Sequence, residues 1–120
     1  MASTQEQIKA AIQGFLEQVP ALANLKLVFE LELAGRGDVQ MFRVELPGPQ
    51  ITKAIATDAR VTITMPRAQF NELASEGTLK GYHRAYDTGH IKVSGDEQVQ
   101  KLIAQVVERQ EERARLKKAH

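Results

Sequence analysis

Two aspartates and two tyrosines are the residues whose types could move protons: Asp58, Tyr82, Tyr86 and Asp87. A carboxyl group held beside a tyrosine in an apolar pocket can act as an acid or a base, as in ketosteroid isomerases. Tyr86 and Asp87 are neighbours in the chain, but nothing in the sequence brings Asp58 to them. Because no nucleophile–base pair accompanies these residues, a small isomerase-like enzyme that uses Asp87 or Asp58 is the third of three hypotheses.

His83, Asp87 and His90 are the residues that could bind a metal ion. Their spacing matches no familiar ligand pattern and His90 begins a predicted strand, so we predict no metal site. Gly35 and Gly37 lead from one predicted strand into another, whereas a phosphate-binding loop leads into a helix. The lack of cysteine excludes disulfides and thiol catalysis. We therefore predict no catalytic residues and no cofactor.

Composition narrows the class of protein further. The 120 residues predict one domain over 1–120. Sixteen basic residues nearly balance fifteen acidic ones and tryptophan is absent, which argues against a nucleic-acid partner. No apolar run approaches the roughly 18–20 residues of a transmembrane helix, and the sequence shows no secretory signal. The lack of cysteine fits a reducing compartment, and we expect a cytoplasmic protein.

Hydrophobic periodicity predicts a helix and then a hairpin. Ser3 and Glu6 form a capping box in front of an apolar stripe at helical spacing. Apolar and polar residues then alternate over 25–33, which indicates a strand with one buried face. Two glycines and an aspartate in 34–38 predict a turn, and 39–46 is the return strand.

The second half of the chain predicts further strands and helices. A weakly patterned strand is expected at 50–56 and a clearly alternating one at 60–65. A short helix follows over 66–77, with a proline at its start and a glycine at its end. Beyond it, a helical turn is expected at 83–86 and a fifth strand at 90–94.

A final helix begins at Ser94 or Asp96, and a charged extension follows its apolar part at 108–120. The order is then helix, four strands, helix, strand, helix. It predicts an α+β fold with a five-stranded, mostly antiparallel sheet and helices packed on it. The apolar stripes could fill a core or line a ligand cavity, because periodicity is the same for both.

Two segments resemble the sterol carrier protein type-two family. The first is 58–65 (DARVTITM), followed by Phe70 and Gly77. In the family, a strand of this form runs into a short helix with a central Phe and a closing Gly. The second is 85–96 (AYDTGHIKVSGD), where the family has A-F-x-x-G-K-hydrophobic-K-hydrophobic-x-G-D. The resemblance extends over 8–107.

The sequence also departs from the family pattern, because Tyr86 stands at the usual Phe and His90 at the usual Lys. The resemblance implies a hydrophobic tunnel between the sheet and the helices that binds acyl chains, fatty acyl-CoA, phospholipids or sterols. It implies no catalytic residues. Domains of this family also occur as accessory parts of enzymes and of quinone-biosynthesis assemblies, so a protein partner is expected.

The first hypothesis is therefore a lipid-binding or lipid-transfer protein that holds a fatty acyl, phospholipid or sterol-like ligand in an apolar cavity. The second is a protein–protein accessory module for a lipid or quinone enzyme. Both describe a protein that is not an enzyme by itself. The candidate cavity-lining residues are Phe15, Leu16, Leu31, Met41, Val44, Ile63, Met65, Phe70, Leu73, Tyr86, Leu102, Ile103 and Val106.

Overall fold

The fold is described from a computed structural model that covers residues 3–118, with the side chains of 76, 79, 117 and 118 left aside. Helices and strands in this part of the chain follow in the order α1 (Thr4–Gln18), β1 (Leu27–Gly35), β2 (Asp38–Leu46), β3 (Gln50–Thr52), β4 (Val61–Pro66), α2 (Arg67–Glu76), α3 (Leu79–Asp87), β5 (Lys92–Gly95) and α4 (Glu97–Lys118). A short 3₁₀ helix, Pro20–Leu22, links α1 to β1.

The helix ends follow the local sequence as predicted. Ser3 Oγ accepts the N–H of Glu6 at 3.2 Å, which caps α1. Asp96 Oδ1 accepts the N–H of Gln98 at 2.9 Å and begins α4 in the same way. Gly77 ends α2 with φ 63°, a left-handed conformation that suits glycine. These caps fix where the helices begin and end against the sheet.

The sheet has the strand order β3-β2-β1-β4-β5. β1 and β2 form an antiparallel hairpin in which Phe29 pairs with Val44 and Leu31 with Phe42. β4 pairs with β1 in parallel and with β5 antiparallel. The predicted α+β class is thus confirmed, and the sheet is mixed because one of its four strand pairings is parallel. The parallel pair arises because the chain crosses from β3 at one edge to the far side of β1.

Two elements differ from the sequence prediction. β3 ends at Thr52 instead of continuing to 56, because beyond it the Ala56 N–H donates to Glu30 Oε2 at 2.9 Å and not to β2. α3 is a nine-residue helix instead of a single turn at 83–86. Its start depends on the Thr78 side chain, which accepts the N–H of Gly81 at 3.1 Å.

The sheet has one apolar and one polar face, because side chains alternate along each strand. The helices cover the apolar inner face, whose buried members include Leu33, Phe42 and Val44. On the outer face, Arg43 donates from Nε and Nη2 to the two carboxylate oxygens of Asp58 at 3.0 and 2.7 Å. This pair holds the pKa of Asp58 below its ordinary value. Within residues 3–118, no helix is long and apolar enough to cross a membrane.

Candidate functional site

A cavity of about 370 Å³ lies between the inner face of the sheet and the helices. Its volume is near the lower end of the roughly 300–1,000 Å³ that small-molecule sites occupy. A smaller pocket of about 230 Å³ lies between α1 and α2. The larger cavity is lined by Ile8, Ala11, Ile12, Phe15, Leu16, Leu22, Leu25, Leu27, Phe29, Leu31, Leu46, Val61, Ile63, Met65, Phe70, Leu73, Tyr82, His83, Tyr86, Asp87, Ile91, Val93, Gln100, Ile103, Ala104, Val107 and Glu108.

The sheet supplies the floor of the cavity. Strand pairing places Phe29 beside Val61 and Leu31 beside Ile63, so their side chains share one face. Val93 of β5 continues the row, because it pairs with Ile63. An apolar floor of this kind binds hydrocarbon by removing it from water, and it does little to fix the orientation of the ligand because the hydrophobic effect is not directional.

α1 supplies one wall through residues spaced three or four apart, which lie on the same side of a helix. Ile8, Ile12 and Phe15 belong to this stripe. The Phe15 ring meets the Tyr82 ring edge to face, with centroids 5.3 Å apart and an interplanar angle of 78°. Burial raises the pKa of the Tyr82 phenol, so this contact between α1 and α3 carries no charge at neutral pH.

We place the mouth of the cavity between α3 and α4, where its exposed lining residues lie. Most lining residues are buried or partly buried, and those that are exposed come from these two helices. They are Tyr86 and Asp87 on α3, and Ala104 and Glu108 on α4. A ligand that enters the cavity would therefore leave its last atoms beside these four side chains.

The polar side chains of the lining also gather on α3 and α4. His83 contacts two carboxylates, because its Nε2 lies 3.3 Å from Asp87 Oδ2 and its Nδ1 lies against Glu111 Oε1. Glu111 belongs to the charged part of α4, so this contact joins that segment to α3. Gln100 and Glu108 complete the polar lining on α4. The cavity is thus apolar inside and acidic at its mouth.

The structure brings many of the predicted lining residues around this one cavity. Those of α1, the sheet and α2 lie on its floor and walls, and the remaining two lie on α3 and α4. The predicted residues that line the cavity are Phe15, Leu16, Leu31, Ile63, Met65, Phe70, Leu73, Tyr86 and Ile103.

The structure places the other predicted lining residues away from the cavity. Met41 pairs with Glu32 on the outer face of the sheet, one residue out of phase with the inner row. Val44 is fully buried on the inner face at β2. Leu102 is 45% exposed on the outer side of α4. Val106 packs against the small cluster around the 3₁₀ helix.

Sequence reasoning missed several lining residues. Ile8 and Ile12 belong to the same helical stripe as Phe15, so the period of α1 was a sufficient signal for them. Val93 alternates within β5 and gave a similar signal. His83 and Asp87 had no such signal, because their position depends on α3 being a full helix.

The candidates for chemistry divide between two places. Asp58 is paired with Arg43 on the outer face of the sheet and does not line the cavity, whereas Tyr82, Tyr86 and Asp87 do. His90 Nδ1 lies 2.6 Å from Thr88 Oγ1 in the turn after α3. Among the described residues, no cluster of three or more histidine, aspartate or glutamate side chains could hold a metal ion. The geometry therefore separates Asp58 from the other three residues considered for proton transfer, which share the cavity lining.

Structural comparison shows that this chain has the fold of the sterol carrier protein 2 domain. The resemblance to that family seen in the sequence is thereby confirmed at the level of fold. No protein-family model matches the sequence, and a comparison with curated proteins finds no match.

Particular structures illustrate the similarity. The palmitated sterol carrier protein 2-like 2 of Aedes aegypti is 19% identical with a TM-score of 0.56, covering 80% of this chain and 93% of that one. Sterol carrier protein domain 2 of Helicoverpa armigera is 13% identical with a TM-score of 0.59, covering 86% and 84%. The ubiquinone synthesis protein UbiJ-SCP2 is 17% identical with a TM-score of 0.50, covering 92% and 97%.

Proposed function

We propose that this chain binds the hydrocarbon part of a lipid in its cavity and carries it without catalysing a reaction on it. The observation that carries the proposal is the largely apolar cavity of about 370 Å³, whose exposed lining residues lie on α3 and α4. The likeness to a palmitated protein of the same fold supports it. Fatty acyl, phospholipid and sterol-like molecules all offer such a hydrocarbon part.

The size of the cavity sets an expected chain length. A methylene group takes up about as much space as a water molecule, roughly 30 Å³, so the cavity holds on the order of a dozen of them. Each buried methylene contributes about 0.8 kcal/mol at most, or roughly fourfold in affinity. Affinity should therefore rise with chain length and level off at about a dozen carbons.

The test is titration calorimetry with straight-chain alcohols of increasing length. A variant blocks the mouth: Ala104→Trp puts a bulky ring at an exposed lining position of α4. Ala68→Trp is the matched control, because Ala68 is exposed on α2 and does not line the cavity. We expect Ala104→Trp to weaken binding at least tenfold and Ala68→Trp to leave it unchanged. Affinity that ignores chain length, or equal effects of the two variants, would contradict the proposal.

A second candidate function is that of an accessory component of a lipid or quinone enzyme. The observation that favours it is the shared fold with a ubiquinone synthesis protein along almost the whole of both chains. The charged, exposed end of α4 from 112 to 116 is the surface we propose for such a partner. Affinity purification of the chain with and without 112–120 tests this. An enzyme of lipid or quinone metabolism recovered equally with both forms would contradict that surface.

A further inference from the structure

The charges around the cavity mouth favour one kind of ligand head group. The lining includes two carboxylates, Asp87 and Glu108, and a third, Glu111, lies against His83 just outside it. No lysine or arginine lines the cavity among the residues that the structure describes. Among the described lining residues the remaining basic side chain is His83, and both of its nitrogens already face carboxylates.

The cations of these helices are not part of the cavity lining. Lys80 and Arg84 of α3, and Lys101 and Arg109 of α4, are exposed and do not line the cavity. A head group at the mouth thus meets acidic side chains at close range and cations only from outside.

We propose that the site, given the lipid-carrying function above, selects ligands whose polar end is uncharged or cationic, and discriminates against free carboxylates. The chain enters first, because the floor and α1 wall are apolar and the polar side chains stand at the mouth. The head group then stops beside Asp87 and Glu108. A hydroxyl or carbonyl there exchanges hydrogen bonds with Tyr86 or Gln100, both of which can donate. A carboxylate there lies beside like charges and loses part of its hydration.

The experiment compares three ligands with the same ten-carbon chain: decanol, decanoate and decylamine. Calorimetric titration at mildly alkaline pH keeps the acid ionised and the amine charged. We expect decanoate to bind at least tenfold more weakly than decanol, and decylamine to bind at least as tightly as decanol. Decanoate that binds as tightly as decanol overturns the inference and leaves the proposed function standing. Failure of all three ligands to bind overturns both.

A double substitution tests whether the carboxylates at the mouth cause the weaker binding of decanoate. Asp87→Asn with Glu108→Gln removes the two lining charges and retains similar shapes, so the ratio of decanol to decanoate affinity should fall about tenfold. Glu97→Gln with Glu112→Gln removes two charges from exposed positions of the same α4 that do not line the cavity. This control should leave the ratio within twofold of the parent protein.

A ratio that stays high in the Asp87/Glu108 variant overturns the electrostatic cause, because desolvation of the carboxylate would then explain it alone. An equal fall of the ratio in the control overturns the assignment to the mouth, because net charge would then be responsible. Glu108→Gln by itself repeats the test without touching the His83 contact, and it should lower the ratio by a smaller factor in the same direction.

Discussion

The inner face of the sheet is filled in two different ways. Leu33 near the end of β1 and Phe42 and Val44 in the middle of β2 are 1%, 1% and 0% exposed, and none of these three lines the cavity. At β4 and β5, Ile63 and Val93 lie on the same face, are only partly buried and line it. We call these the packed end and the open end of the inner face.

The difference between the two ends comes from what lies opposite the strands. α1 contacts β3, the neighbour of β2, and also contacts α2, which lies against both β1 and β4, so α1 and α2 together close the packed end. At the open end, α3 and α4 frame the mouth and leave space above β4 and β5. The same alternating strand pattern therefore produces a close-packed core at one end and a cavity floor at the other. The helices decide which one forms.

The largest effect is expected for a truncation at the packed end. Phe42→Ala removes a fully packed ring and should lower the free energy of unfolding by about 3–5 kcal/mol. Because Phe42 does not line the cavity, the loss should be the same with and without decanol. Denaturant melts in both conditions measure it. A loss near 1 kcal/mol would mean that the packed end is itself loosely filled.

The next largest loss of stability is expected at Gly95, the last residue of β5, which lies just before α4. Gly95 has φ 112°, and an added Cβ would lie 2.6 Å from the Arg60 carbonyl oxygen. Gly95→Ala should therefore cost at least about 1–3 kcal/mol and disturb the placement of α4 beside the mouth. Gly14→Ala is the contrasting control, because an added Cβ meets nothing within 4 Å inside α1 and should stabilise by about 0.5–1 kcal/mol. Thermal or denaturant unfolding of both variants checks the opposite signs.

Truncation at the open end should cost less than at the packed end. Ile103 lines the cavity and is only partly buried. Ile103→Ala therefore removes fewer packing contacts than the truncation of a fully packed side chain. We expect Ile103→Ala to lower the free energy of unfolding of the ligand-free protein by less than roughly 2 kcal/mol, which is the smallest loss usual for an isoleucine in a packed core. The loss should grow when decanol is present, since the ligand stabilises only the folded state that binds it. An equal, large loss in both conditions would make Ile103 part of a closed core.

The smallest change in stability is expected at the C-terminal end of α4. The described side chains after Glu111 are exposed, so deleting 112–120 should change the free energy of unfolding by about 0.5 kcal/mol, as surface changes usually do. The deletion retains the contact between Glu111 and His83. A much larger loss in a denaturant melt would show that the end of α4 holds the fold.

Local sequence patterns predicted much of the fold. The hairpin of β1 and β2 followed from alternation and from the glycines of its turn, and the cap at Ser3 followed from residue type. For α4, residue type left Ser94 and Asp96 open, and the structure shows Asp96 as the cap. The parallel pairing of β4 with β1 could not be predicted in this way. It depends on how the chain crosses the sheet between distant segments, which no local pattern records.

The lining residues show where pattern reasoning ends. Met41 and Val44 are three positions apart in one strand and so face opposite sides, which the sequence already implied. The residues between them show which of the two faces the core. Phe42 is apolar and lies on the same side as Val44, whereas Arg43 is polar and lies on the same side as Met41. In contrast, no pattern separates Ile63 on the cavity floor from Leu33 in the packed end. Both alternate within strands, and only the placement of the helices distinguishes them.

The central claim is that the ligand binds in the cavity. Methyl NMR of isoleucine-labelled protein, titrated with decanol, tests it most directly, because some isoleucines line the cavity and others do not. Ile51 and Ile55 do not line the cavity and serve as internal controls. The account predicts shifts or intermolecular contacts at the lining isoleucines and unchanged signals at these two. Perturbation confined to Ile51 and Ile55, or spread equally over every methyl group, would contradict a ligand in the cavity. The lining isoleucines are Ile8, Ile12, Ile63, Ile91 and Ile103.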